Sequence, residues 1–274
     1  MFRVPRSRFG FGVRGSVLIA LCIAACAVLE AQQLPREEQE AFLQRAKVLR
    51  SQVLSGGITR PLRLTMTDGT LTHDAVFQTI EEKRTVFVPS RGPTEINFVD
   101  SWRYNVAAYR LAGLLGLESM MPATIEYRWQ GKLGALSWWV DAQMDERTRL
   151  KQKVKPPDPL AWNHDMYRMR VFTELVEDTD RNLGNVLISP DWRVIMLDFT
   201  RAFRLHEQIR PNEIHHCDRR LLAALDTLTG DGLQSAAGQY LSSFEIRAVL
   251  KRRDLIVRHV KQLVAERGEA QVLY

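Results

Sequence analysis

Between residues 177 and 200 the sequence sets two carboxylates and an amide at spacings that suit a hard cation. The stretch Glu177-Asp178-Thr179-Asp180-Arg181-Asn182-Leu183-Gly184-Asn185 is followed, thirteen residues after Asn185, by Asp198-Phe199-Thr200. The residues between, 186–197, read as a hairpin around Ser189-Pro190-Asp191. Pairing Ser189 near Arg193 across that turn puts Asn185 opposite Leu197 and beside Asp198, with Asp180 five residues back in the loop. Mg²⁺ takes oxygen ligands and keeps the rest of its shell for water and phosphates. A carboxylate left free of the metal can orient a hydroxyl or take its proton. Singly, Asp and Asn are ordinary turn formers. It is the joint spacing that carries the chemistry.

The elements that must hold this edge are legible in outline. A helix leading into a strand is expected over 35–53, then a Ser55-Gly56-Gly57 loop and a strand over 62–67. Asp68-Gly69-Thr70 signals a tight turn, and 71–80 alternates again as a third strand. Apolar residues at helical spacing (Val106, Tyr109, Leu111, Leu114, Leu115) predict a helix within 100–117. Residues 124–129 and 136–140 are strand candidates. The basic, proline-rich stretch 151–159 reads as a connector. Helix is expected from Met166 to Val176, and most of the chain from Arg219 onward reads as helical. The expected class is α+β: a small β-rich lobe over 32–150 and a mainly helical lobe over 151–274.

In their local text, Asp-Thr-Asp-Arg-Asn-Leu-Gly-Asn followed by Leu-Asp-Phe-Thr-Arg-Ala-Phe203, these residues resemble the catalytic and metal-binding loops of protein-kinase-like enzymes. The likeness is to the atypical branch, which includes HipA-type, phosphatidylinositol 3-/4-kinase-like and secretory-pathway Fam20-like kinases, and to a bacterial group of exported relatives. It extends over about 45–274 and is specific between about 170 and 203. The resemblance implies a two-lobed fold with Asp180 as catalytic carboxylate, Asn185 and Asp198 as metal ligands, and Arg181 and Asn182 shaping the loop. It also implies Mg²⁺ or Mn²⁺, ATP or another nucleotide under the Gly56-Gly57 turn, and a hydroxyl acceptor on a protein, lipid headgroup or sugar.

Two positions depart from that pattern. Such kinases carry a lysine on the third strand, paired to a glutamate on the first long helix. Here Gln78 and Asn105 stand at those places, as cofactor-binding candidates. Two neutral amides can still bond each other and a phosphate oxygen, but they lose the charge-assisted contact, which is roughly twice as strong. Lys83, Arg84 or Arg103 are the neighbouring cations that could substitute. The implied activity is an exported kinase-like phosphotransferase, and the alternative is a catalytically weak pseudokinase serving as a nucleotide-binding or scaffold module.

Composition agrees with a globular chain. With 274 residues, 45% hydrophobic and 26% charged, the sequence is neither disordered nor collagen-like nor polytopic. Residues 1–31 hold four arginines against Glu30 alone and so carry half of the net +6, which leaves the body too weakly basic to argue for nucleic acid. Those four arginines precede a 14-residue apolar run, short for a membrane span, and small residues follow. This reads as a signal peptide over 1–31 and a periplasmic or secreted product. Alternatively Ile23-Ala24-Ala25-Cys26 resembles a lipobox, making Cys26 a lipid anchor. Without that segment Cys217 is the only cysteine of the three, so no internal disulfide is expected. His215-His216-Cys217-Asp218 is read as a helix start rather than a metal site. Trp138-Trp139 is read as core plus one exposed ring, Ser242 as a helix cap, and Lys251-Arg252-Arg253 as the solvated face of a terminal helix. No hydrolase, zincin or P-loop motif is present.

Overall fold

The computed structural model describes residues 34–54, 60–88 and 94–274. The segment 1–31 read as a signal peptide, with Cys26, and the pair Gly56 and Gly57 lie outside the described residues. Helix α1 (Arg36–Arg45) leads directly into β1 (Lys47–Val53), and β2 (Leu62–Thr67) and β3 (Thr72–Gln78) follow. Next come β4 (Glu81–Phe87), β5 (Glu95–Ser101), α2 (Arg103–Leu114), β6 (Thr124–Trp129) and β7 (Lys132–Trp138). The helical part begins after β8 (Met144–Asp145), with α3 (Glu146–Gln152) and α4 (Pro159–Val176). The strands β9 (Val186–Ile188) and β10 (Val194–Met196) precede α5 (Arg219–Thr227), α6 (Gly230–Ala237), α7 (Ser243–Arg267) and α8 (Glu269–Val272).

Five strands form one antiparallel sheet in the order β1-β2-β3-β7-β6. Alternation in β2 and β3 buries Leu64, Met66, Ala75 and Phe77, and α1 and α2 pack on the neighbouring strands β6 and β7 of the same sheet. Helix α2 is buried nearly all round. Its small residues Ala107, Ala108 and Ala112 let it sit close to β6 and β7 on one side and α6 on another. A second core lies between α4 and α7, built from Val171, Phe172, Leu175, Val249, Ile256 and Val260. The chain thus has a β-rich N-terminal part and a helical C-terminal part. Residues Arg36–Tyr274 form one compact unit.

Most expected elements stand where the pattern put them, and four readings are corrected. Helix α4 begins at Pro159, ahead of Met166, because the Asp158 carboxylate caps the amides of Leu160 at 2.9 Å and Ala161 at 3.1 Å. The last strand of the sheet is β7 at Lys132–Trp138 and stops short of Val140. Strands β4 and β5 pair as a separate hairpin that the sequence reading lacked. Its strand Glu81–Phe87 is largely exposed, so no buried face imposes an alternation on it.

The fourth correction concerns Arg252, which is 0% exposed and not solvated. It shares a helix face with Val249, Ile256 and Val260, at intervals of three, four and eight residues, so the period of α7 turns it inward. There its guanidinium donates to the carbonyls of Leu175 at 2.8 Å, Arg204 at 2.9 Å and His206, and to Glu177 at 3.2 Å. Lys251 stays exposed. The reading of Asp218 as a helix start is met: it caps α5 through the amides of Arg220 and Leu221. Ser242 and Glu245 form a reciprocal capping box on α7. Trp138 is buried and Trp139 half-buried.

Candidate active site

The loop after α4 is built around a buried carboxylate that the spacing argument passed over. Asp178 is buried, receives the Asp180 amide at 3.0 Å on Oδ1, and forms an ion pair with Arg181 through Oδ2. Arg181 also bonds across to the neighbouring loop. It donates to the carbonyls of Asn185 at 3.0 Å, Leu197 and Asp198 at 3.4 Å, and lies 4.2 Å over the Phe199 ring. One guanidinium thereby ties the loop carrying Asp180 to the loop carrying Asp198. Asn182 caps the short turn Leu183–Asn185 by accepting the Gly184 amide at 2.9 Å, and also accepts from Arg147 at 3.2 Å.

Pairing of β9 with β10 follows the expected register. Val186 faces Met196, Ser189 donates its amide to Arg193 at 3.0 Å, and Leu197 donates to Asn185 at 2.9 Å. Asn185 is therefore beside Asp198 at the open end of the hairpin. Its Nδ2 donates to the Asp180 carbonyl at 3.3 Å, which leaves Oδ1 as the acceptor atom available to a cation. Asp198 adopts φ +54°, in the left-handed region.

Gln78 and Asn105 meet as the sequence suggested, and they also reach the loop that carries Asp198 and Phe199. Asn105, 5% exposed, donates to Gln78 Oε1 at 2.7 Å and accepts the Phe199 amide at 2.7 Å on Oδ1. Gln78 Nε2 in turn donates to Asp198 Oδ1 at 3.4 Å, where Thr200 Oγ1 also donates at 3.1 Å. The two amides are thus a continuous bridge from β3 through α2 to residues 198–199. Gly134 on β7 is what lets β3 carry Gln78 so close: a Cβ there would fall 2.3 Å from the Gln78 carbonyl oxygen. None of Lys83, Arg84 or Arg103 takes the missing lysine's place. Lys83 and Arg84 lie on the outer hairpin, Arg84 paired to Glu82, and Arg103 is 3.5 Å from Glu81.

A cavity of about 600 Å³ opens between the sheet and the β8–β10 edge, within the range of ligand pockets. Gln78, Asn105, Asn185 and Asp198 line it at one end, and Val76, Met121, Trp138, Trp139, Leu187 and Met196 contribute to its apolar wall. Asp180 stands just outside, its side chain 46% exposed. Burial holds its carboxyl above the usual range, Asp198 and Asp178 add to the effect, and Arg201, 3.9 Å away, opposes it. Glu95, Asp100 and Arg201 also join the site without any signal in local spacing. Glu95 on β5 pairs with Arg201 and, at 2.9 Å, with Arg204. Asp100, on the same strand, is also shifted upward, by burial first and then by the charge of Asp198, against the pull of Thr200 and Arg201. Its Oδ1 is buried with no hydrogen-bond partner.

The hydra Fam20 structure determined with sugar matches this architecture with a TM-score of 0.61 at 14% identity, covering 85% of this chain and 90% of that one. This is a protein-kinase-like fold. A Helicobacter pylori proinflammatory kinase, CtkA, aligns over 82% of this chain and 96% of its own, with a TM-score of 0.49 and 11% identity. No family model and no curated protein matches the sequence.

The donor set decides what metal the site would suit. Among the described residues no group of three or more His, Cys, Asp or Glu side chains forms a metal cage. One carboxylate and one amide oxygen, with water and phosphate completing the shell, fit a hard cation such as Mg²⁺ or Mn²⁺ and not a closed structural site.

Proposed function

We propose that this protein is a phosphotransferase that uses a nucleotide and Mg²⁺ or Mn²⁺ to modify a hydroxyl acceptor. One observation carries the reading: Asp180, Asn185 and Asp198 are fastened into one edge by Arg181, beside a cavity with a mainly apolar wall, in a protein-kinase-like fold. Asn185 Oδ1 and the Asp198 carboxylate are the oxygens that would hold the cation, which supplies charge compensation to phosphate oxygens. Asp180 orients the acceptor hydroxyl and takes its proton as the new O–P bond forms and the bond to the nucleotide's leaving oxygen breaks. Its raised pKa brings it closer to the range of an effective base. Gln78 offers an amide N–H toward a phosphate. Gly56 and Gly57, which lie outside the described residues, complete the nucleotide site in this reading.

Protein, lipid-headgroup and sugar hydroxyls are the acceptors to screen, a sugar first because hydra Fam20 was determined with one. The segment 1–31 directs the chain to the periplasm or outside the cell, either free or held by a lipid on Cys26. A pseudokinase is the second reading, and the uncharged Gln78–Asn105 pair is the observation that favours it. Asp198→Asn separates the two. Metal-dependent nucleotide turnover in the full chain should fall by about 100-fold or more, on the scale of losing one charge-stabilising group, with an unchanged circular dichroism spectrum. Retained turnover in that variant would remove Asp198 from the site, and none in the native chain with any acceptor would leave the binding module.

A further inference from the structure

We infer that α3 and the connector after it form a docking surface for an anionic lipid bilayer, which brings the neighbouring Asn182–Asn185 turn to the headgroups. The inference rests on surface chemistry and holds or fails apart from the phosphotransfer reading. It starts from the basic stretch that the cleft leaves unused. Helix α3 has two unlike faces. Glu146 is buried and paired with Arg149, whose guanidinium also donates to the Val154 carbonyl at 2.9 Å and lies 5.0 Å over the Trp162 ring. Arg147, Leu150 and Lys151, at intervals of three and four residues, share the other face and are exposed, Leu150 by 48%.

The helix ends on Lys153 at φ +56°, a left-handed position usually given to glycine, and Lys155 follows; both lysines are exposed. Leu160, 66% exposed, stands in the first turn of α4. Among the described residues none of the cations Arg147, Lys151, Lys153 and Lys155 forms an ion pair, and Arg147 donates to the neutral Asn182 Oδ1 at 3.2 Å. The local carboxylates have other duties. Asp145, in the field of Arg147, caps the Thr148 amide at 2.7 Å, Glu146 holds Arg149, and Asp158 caps α4.

Lysine is a mobile point charge suited to a diffuse negative surface, whereas a fixed acidic ligand calls for the planar fork of arginine. None of these residues lines the cleft cavity. An exposed run of lysines with leucines beside it fits a bilayer: the cations meet the headgroups while Leu150 and Leu160 enter the acyl boundary. Each cation near an anionic leaflet is worth about fivefold in affinity. Among the described residues no helix is long and apolar enough to cross a membrane, so this docking is peripheral. The bond from Arg147 to Asn182 ties the surface to the loop that carries Asp180.

Sedimentation of the full chain with vesicles of phosphatidylcholine, and of an equimolar mixture of phosphatidylcholine and phosphatidylglycerol, tests this. Lys151→Ala with Lys155→Ala should weaken binding to the mixed vesicles by about 25-fold and leave binding to neutral vesicles unchanged. Lys132→Ala with Lys251→Ala removes the same charge from exposed positions elsewhere and should change binding by less than about twofold. Both pairs keep residues 1–31, so the contribution of that segment is common to them. Equal weakening by the two pairs would reduce the effect to net charge and overturn the inference. So would unchanged binding of the first pair, or no binding of the native chain to mixed vesicles. Tight binding of soluble polyglutamate with none of the vesicles would hand the surface to an acidic macromolecule and overturn it as well. Nucleotide turnover is read separately, so the phosphotransfer reading stands or falls on its own assay.

Discussion

Replacing Arg181 by methionine should cost this protein about 3–5 kcal/mol, the usual penalty for removing one partner of a buried ion pair. The side chain of Asp178 is completely buried, so the substitution strands a carboxylate with no water to solvate it. It also strips hydrogen bonds from the carbonyls of Asn185, Leu197 and Asp198. Methionine keeps much of the stem packed against Phe199, which confines the loss to the polar head. Against a total stability of about 5–15 kcal/mol, such a loss is large but leaves a measurable folded state. Asp178→Asn should cost less, because the asparagine oxygen can still accept the Asp180 amide and Arg181 keeps its carbonyls. In the double variant the stranded charge is gone, so its cost should fall short of the sum by about 1–3 kcal/mol. Urea unfolding followed by fluorescence of the six tryptophans measures all four corners of the cycle. A cost under about 1 kcal/mol for Arg181→Met, or strict additivity in the cycle, would falsify the view of Arg181 as the fastening of the site.

Two further outcomes follow from buried charge elsewhere. Arg252→Met should lower stability by about 3–5 kcal/mol, or roughly 10 °C in Tm at this chain length, while Lys251→Ala stays within about 0.5 kcal/mol; equal effects in thermal melts would return Arg252 to the surface. For Asp100, burial and the charge of Asp198 raise the folded-state pKa above its unfolded value. The folded chain therefore holds a proton that the unfolded chain has released, and stability falls as pH rises through that window. Asp100→Asn should melt above the native chain at neutral pH and lose this advantage as pH drops below the ordinary carboxylate range. An advantage that grows on acidification would contradict the assignment.

How legible each part was depended on the range of the interaction that decides it. The hairpin over 186–197 could be registered from its turn alone, and register fixed the neighbourhood of Asn185 and Asp198. The same holds for β2, β3 and α2, whose apolar periods are imposed by a nearby core. Gln78 and Asn105 were picked out by the family resemblance together with their positions in those elements, and their mutual hydrogen bond is what the structure adds. Asp100, Glu95 and Arg201 were not, because what brings them to the site is the docking of an exposed hairpin: Ser101 donates its amide to the Thr200 carbonyl at 2.8 Å and Glu95 reaches Arg201. Nothing in a strand reading Glu-Glu-Lys-Arg-Thr announces that. Arg252 failed for a different reason. A run of three cations suggests water, and only the phase of the helix, set by Val249, Ile256 and Val260, shows which one turns inward.

The bridge from Gln78 through Asn105 to residues 198–199 also sets when in folding the cleft can exist. Its bonds join positions 120 and 94 residues apart. Closing such loops is paid in chain entropy before any contact repays it, so these bonds belong to the late steps of folding. During synthesis, the sheet and α2 leave the ribosome well ahead of Asp198 and Phe199, and until those arrive Asn105 has no amide to receive. The cleft is therefore a property of the finished chain alone, and protection of one amide hydrogen from exchange, that of Phe199 on Asn105, is the expected sign that the two ends of the bridge have met.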